Sequence, residues 1–203
     1  MNLSRKVRPT RGGGLLEPLL ARMRARKANQ LIPPQLRDGR ILDIGCGSFP
    51  YFLSHTFFRE KFALDRVNPQ GEIAGDIHWH NSDLNQDTQL PFPDRFFSIV
   101  TMLAVVEHLD PEKLESLLSE IYRILVPGGA LIITTPAAWS DGLLRAMSRI
   151  NLVSREEIEE HAYAYTLPIL GWYFGRAGFP RTLMRFGYFE LGLNMWATAT
   201  RPV

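Results

Sequence analysis

The stretch ILDIGCGSFP, Ile41 to Pro50, decides how the chain is read. A short apolar run carrying one acid meets two glycines one residue apart. That pattern predicts a buried strand closing in a tight turn. Gly45 and Gly47 let the backbone bend and bring amides up to a ligand with no side chain between. Twenty-two residues after Asp43 comes Asp65, which ends a second predicted strand, Phe62–Asp65. An acid there is placed to accept hydrogen bonds from a ribose hydroxyl pair. Strand, glycine loop, helix, strand and acid in that order point to an adenosine-containing ligand. The dinucleotide fingerprint needs a third glycine, and Phe49 and Pro50 do not supply it.

Outward from this stretch the pattern is α/β. Tyr51–Phe58 has helix-compatible apolar spacing, and Ile73–Ile77 reads as a third strand. Phe97–Leu103 is a buried strand. Pro111–Leu125 predicts an amphipathic helix with Leu114, Leu117, Leu118, Ile121 and Leu125 as its stripe, stopped by Pro127-Gly128-Gly129. Ala130–Thr135 is the next strand and Thr166–Ala177 a further helix. Arg181–Glu190 and Leu193–Thr200 predict a terminal hairpin.

The 203 residues bound the answer to one domain, or one domain with a tail: residues 1–30 a basic arm and helix, 31–203 a single domain. No apolar run reaches the length of a membrane helix, and the first residues lack a signal peptide's apolar region. Cys46, the single cysteine, has no partner for an internal disulfide. These features predict a cytoplasmic protein. The formal net charge of +2 hides an asymmetry. Residues 1–40 hold ten Lys or Arg against Glu17 and Asp38, while the rest hold thirteen against nineteen acids. The simpler account of the basic part is a solvated tail. The functional account is weak peripheral contact with an anionic membrane, helped by Leu15, Leu16, Leu19, Leu20 and Met23 at helical spacing.

Six segments together resemble the class I S-adenosylmethionine-dependent methyltransferases, in their type 11 branch. They are LDIGCG (42–47), ALD (63–65), SDL (82–84), LPFPDRFFSIV (90–100), VVEHL (105–109) and YRILVPGGALIITTP (122–136). The resemblance implies a Rossmann-like, seven-stranded, mostly parallel sheet with a reversed last strand and helices on both faces. It implies S-adenosyl-L-methionine as cofactor, with S-adenosyl-L-homocysteine as product. This donor has no phosphate, so the absent third glycine fits. By the same resemblance Asp43 would orient the loop and the methionine amine, with Gly45, Cys46 and Gly47 around it. Asp65, followed by Arg66, would take the ribose hydroxyls. Asp83 and the Leu84 amide would meet the adenine, and Leu103 and Ala104 would line the donor channel. Asp83 as a solvated loop acid is the simpler alternative, and Cys46 has no adjoining base for nucleophilic work.

Moving a sulfonium methyl to a nucleophile needs positioning, and a hydroxyl acceptor gains from a general base. His108, directly after the fourth strand, and His161, in EEIEEHAYAYTLPIL, are the candidates; a structural His108 and a solvent-exposed His161 are the simpler readings. His78 and His80 beside Asp76 mimic a metal site, but a surface strand accounts for them. Some relatives bind a divalent metal through a Glu where this chain has Ala104, so no metal is expected. Gly142–Ile150 reads as core or as a lid helix. The base-methylating Asn/Asp-Pro-Pro-aromatic motif is absent at Thr101–Ala104, so nucleic acid is not expected. The expected acceptor is a small molecule, lipid or saccharide methylated on oxygen, for a monomer or homodimer. The alternatives are methylation on nitrogen or carbon, or a non-catalytic cofactor-binding regulator.

Overall fold

The computed structural model describes residues 16–69, 75–87, 89–140, 142, 148–149, 153 and 163–203. The strands are β1 (Arg40–Ile44), β2 (Glu60–Asp65), β3 (Ile77–Asn81), β4 (Phe97–Leu103), β5 (Leu125–Pro136), β6 (Met184–Phe189) and β7 (Asn194–Thr200). They form one sheet in the order β3-β2-β1-β4-β5-β7-β6. Every pairing is parallel except those of β7, which runs against both β5 and β6. The expected seven-stranded sheet with a reversed last strand is therefore present.

Residues alternate between two apolar layers, as strand geometry requires. Leu42, Ile44, Val100, Met102, Leu131 and Ile133 face one layer, which takes helix α3 (Pro111–Ile124) and helix α4 (Leu167–Arg176). Ile41, Ala63, Ile99 and Ile132 face the other, which takes α1 (Glu17–Leu31) and α2 (Tyr51–Ser54). Central strands buried on both faces explain the near-continuous apolar runs of β1 and β4. In α3 the buried residues are Leu114, Leu117, Leu118, Ile121 and Ile124, so Ile124 rather than Leu125 ends the stripe. Leu125 already opens β5. Arg201 meets the junction of α3 and β5: its guanidinium donates to Tyr122 O and Arg123 O of the helix and to Leu125 O, at 2.8, 3.0 and 2.7 Å. A cation there also suits the negative end of the helix dipole.

Two expectations change. Helix α2 has only four residues, not the eight of Tyr51–Phe58, because His55 leaves the helical region at φ −120°. The third strand is Ile77–Asn81, not Ile73–Ile77, and residues 70–74 lie outside the described residues. Its register sets His78 beside Phe62 and His80 beside Leu64. Both imidazoles lie against the Phe62 ring, at 4.8 and 6.1 Å between centroids. Asp76 instead pairs with Lys61 at 2.5 Å. Helix α1 faces the sheet with small residues and keeps part of its leucine face outside. Ala21, Ala25 and Ala28, continued by Ile32, face the sheet, while Leu19 is 52% and Met23 36% exposed. Small residues let the helix lie close over β4 and β5. No helix among the described residues is long and apolar enough to cross a membrane.

The buried face of α1 has a measurable consequence. Ala28→Leu inserts bulk where no space exists and should cost about 1–3 kcal/mol in urea unfolding. Leu19→Ser, on the outer face, should change stability by under about 0.5 kcal/mol.

Candidate active site

The site lies along the carboxyl edge of β1, β2, β4 and β5, where ligands of such sheets bind. At the end of β1 the chain turns left-handed twice, with φ +73° at Gly45 and +70° at Gly47. The two glycines are required for different reasons. A Cβ on Gly45 would lie 2.4 Å from Val105 Cγ2, so the turn is packed against the segment after β4. A Cβ on Gly47 would meet nothing within 4 Å. The loop thus leaves open space beside Gly47.

Asp65 fastens this loop. Its Oδ2 accepts from the Gly47 amide at 2.7 Å and its Oδ1 from the Val67 amide at 3.0 Å. These two bonds fix the carboxylate at the end of β2, beside the glycine loop. The Asp65 carbonyl accepts from Ser82 N at 3.1 Å, which brings the turn carrying Asp83 and Leu84 to the same edge. Within that turn the Asp83 carboxylate accepts from Asn85 N and Gln86 Nε2, at 3.0 and 3.1 Å. Leu84 packs against the core under α3. Arg66 is exposed beside Asp65.

Asp43 is 3% exposed and pairs across the sheet with Thr101, whose hydroxyl donates to its Oδ1 at 2.6 Å. Burial pushes this carboxyl up to about 7; the Thr101 hydrogen bond opposes the shift and the nearby Asp65 charge adds to it. Burial, with Asp43 and Asp65, also pushes the Cys46 thiol up, so Cys46 stays protonated. That fits a packing role rather than a nucleophile.

At the end of β4, Ala104 takes a left-handed φ of +59°, and its amide donates to Thr134 O at 2.8 Å. This strained residue turns the chain out of the sheet into the 3-10 turn Val106–His108. Leu103 lies next to Thr134 in the pairing register. His108 is half-buried in the turn, whereas His161 and most of the Gly142–Ile150 segment lie outside the described residues.

Two groups that sequence reasoning missed complete the edge. Thr101 is one, a hydroxyl inside an apolar strand and in register with an acid. Glu107 is the other: it is 3% exposed and its Oε2 accepts from Thr135 Oγ1 at 2.9 Å. Its Oε1, like Thr134 Oγ1, is buried without a hydrogen-bond partner. The signal was an acid within the apolar run VVEHL.

The glycine turns, the open side at Gly47, the acceptor at Asp65 and the buried acid at Asp43 suit a ligand that carries both a ribose and an amine. A family profile described as "Methyltransferase domain" matches residues 16–181. The chain belongs to the methyltransferase-domain family. The class I S-adenosylmethionine-dependent relationship drawn from the sequence motifs stands. A protein of Encephalitozoon cuniculi named as a methyltransferase is 29% identical over 104 residues, covering 48% of this chain and 45% of that one. A tRNA N(3)-cytidine methyltransferase of Danio rerio is 26% identical over 109 residues, covering 46% of this chain and 31% of its own length. The chain spans under half the length of these curated relatives. Among solved structures, an S-adenosylmethionine-dependent methyltransferase of Mesorhizobium loti superposes with a TM-score of 0.66 at 16% identity, over 90% of this chain and 100% of that one. One expectation is corrected. Nucleic acid was set aside on a missing motif, yet the similar proteins include tRNA methyltransferases from Danio rerio and Gallus gallus. The absence of one base-methylating motif does not exclude a nucleic-acid acceptor.

Two measurements test the site. An acid whose pKa is higher folded than unfolded binds its proton more tightly in the fold. Asp43 therefore removes stability as pH rises from about 4 to about 7. Asp43→Asn keeps an acceptor for Thr101 and should be more stable than the parent at pH 8, by on the order of a few kcal/mol at most. The gain should vanish near pH 4, read by thermal unfolding at both pH values. The second concerns the two glycines. Gly47→Ala should cost about 1 kcal/mol of backbone strain, whereas Gly45→Ala adds the Val105 clash and should cost clearly more in the same assay.

Proposed function

We propose that the chain binds S-adenosyl-L-methionine along this edge and transfers its methyl group to an acceptor. The single observation that carries the reading is the Asp65 carboxylate gripping the glycine loop at 2.7 Å while facing the edge of the sheet. Asp65 would hold the ribose hydroxyls, with Arg66 flanking it. Asp43 would meet the methionine amine, with Gly45, Cys46 and Gly47 forming the floor. Asp83 and Leu84 would border the adenine, and Leu103 and Ala104 the channel to the acceptor. When bound, the cofactor supplies an electrophilic methyl on a sulfonium. The chain's own residues then have to orient the acceptor, exclude water and accept a proton where the acceptor is a hydroxyl. His108 at the end of β4 and His161 are the histidines assigned to that proton.

The acceptor we propose is an oxygen of a small molecule, lipid or saccharide. A specific observation favours a second reading. Ten Lys or Arg fall in residues 1–40, and α1 exposes Arg22 and Arg26. Together with the tRNA methyltransferases among the similar proteins, this supports an RNA acceptor. Labelled cofactor offered with tRNA, saccharide, lipid and small-phenol panels separates the two. Label in RNA, reduced by salt, supports the second.

Asp65→Ala should weaken S-adenosylhomocysteine binding by roughly 1–3 kcal/mol in calorimetry, because ribose hydroxyls lose their acceptor. Unchanged affinity would remove Asp65 from the cofactor site.

A further inference from the structure

We infer that Glu107 is a catalytic residue: its free carboxylate oxygen accepts a hydrogen bond from the attacking hydroxyl or amine of the acceptor, which aims the lone pair while the histidine assigned above takes the proton. This rests on the methyl-transfer reading above and identifies the group that aims the acceptor. Glu107 is almost fully buried, and one oxygen is held by Thr135 Oγ1 at 2.9 Å while the other has no donor. Burying a carboxylate without a cation or a full set of donors is costly, so such a group marks a place where a ligand completes the bonding. No salt bridge involves it among the described residues. The carboxylate sits between the carboxyl ends of β4 and β5, two residues beyond Val105, which packs against Gly45 of the cofactor loop. Backbone bonds fix it there. His108 N donates to Val105 O at 3.0 Å, and Tyr163 N donates to Glu107 O at 3.2 Å. Thr135 is in β5, so the orientation of the carboxylate is tied to the sheet rather than to a loop.

The chemistry of the missing partner follows from the orphaned atom. A carboxylate oxygen accepts, so the partner must bring an O–H or N–H. At the mouth of a methyl-transfer site that hydrogen belongs to the group that attacks, and accepting it turns a lone pair toward the methyl. The inference therefore selects acceptors with a hydroxyl or amine at the reacting atom over carbon acceptors that carry no such donor.

The test needs no knowledge of the acceptor. Sinefungin replaces the sulfur of S-adenosylhomocysteine by a CH that bears an amine, so the amine stands where the sulfonium carries its methyl. If Glu107 faces the transfer point, the full chain binds sinefungin more tightly than S-adenosylhomocysteine in calorimetry. In Glu107→Gln this preference should fall by roughly fivefold to tenfold, the scale of one charge-assisted hydrogen bond. S-adenosylhomocysteine affinity should stay within about twofold. The variant should unfold at about the same temperature, since the amide keeps the shape of the carboxyl and an oxygen for the Thr135 hydroxyl. An unchanged preference overturns the inference, as does a large loss of stability with the preference intact. If Glu107→Gln does not fold, Thr135→Val, which frees the carboxylate to swing, must reduce the preference instead; no reduction overturns the inference. Failure of the parent chain to bind either ligand has a different meaning, because it removes the cofactor reading itself and this inference with it.

Discussion

The bond from the Gly47 amide to Asp65 Oδ2, at 2.7 Å, holds together what the rest of the edge depends on. It joins the loop after β1 to the end of β2, across a parallel pair that could otherwise splay where the ladder stops. Gly45 N donating to Leu64 O at 2.8 Å continues the same connection. On the other side Gly45 lies against Val105, so the loop is wedged between the ends of β2 and β4. A side chain on Gly45 would run into Val105, and both Gly45 and Gly47 take left-handed backbone. The two glycines are thus set by the geometry of the sheet's edge before any ligand is considered.

Where the sequence was legible, a local rule and the tertiary structure agreed. The run ILDI needed burial on both faces, and α3 needed one apolar stripe; β1 and α3 are where period and composition put them. The terminal hairpin followed from two alternating runs separated by a short turn, and β7 shows that alternation in its burial. The misreadings arose where nonlocal packing decided. In α1 the leucine spacing pointed to an apolar face, while the residues that meet the sheet, Ala21, Ala25 and Ala28, carried no signal of their own. β3 was displaced toward the histidines because pairing with β2 stacks two imidazoles on Phe62, a contact that strand propensity does not weigh.

At the site the division is similar. The acids at strand ends were legible because spacing alone places them. The partners of the acids were not. Thr101 and Thr135 look like ordinary strand residues until register brings each to a carboxylate. Pairing between strands distant in sequence is the information that a single chain of letters does not display.

Those two pairs share a logic that bears on which ligand the edge prefers. Asp43 and Glu107 lie at the same edge, and the carboxyl of each accepts from a threonine hydroxyl. A hydroxyl satisfies an oxygen without neutralising it. Burial is the main cause that raises the Asp43 carboxyl and the Cys46 thiol, and the Asp65 charge adds to both shifts. A donor that arrives with a sulfonium and an ammonium meets a favourable field. After transfer the sulfonium has become a neutral thioether, and one of those two attractions is gone. An arrangement of this kind favours the charged donor over its demethylated product, and differential binding of that sort lets the product leave. Replacing Asp43 by a neutral residue would stabilise the fold above its raised pKa while flattening that difference, so this acid trades stability for attraction to the cationic donor proposed above.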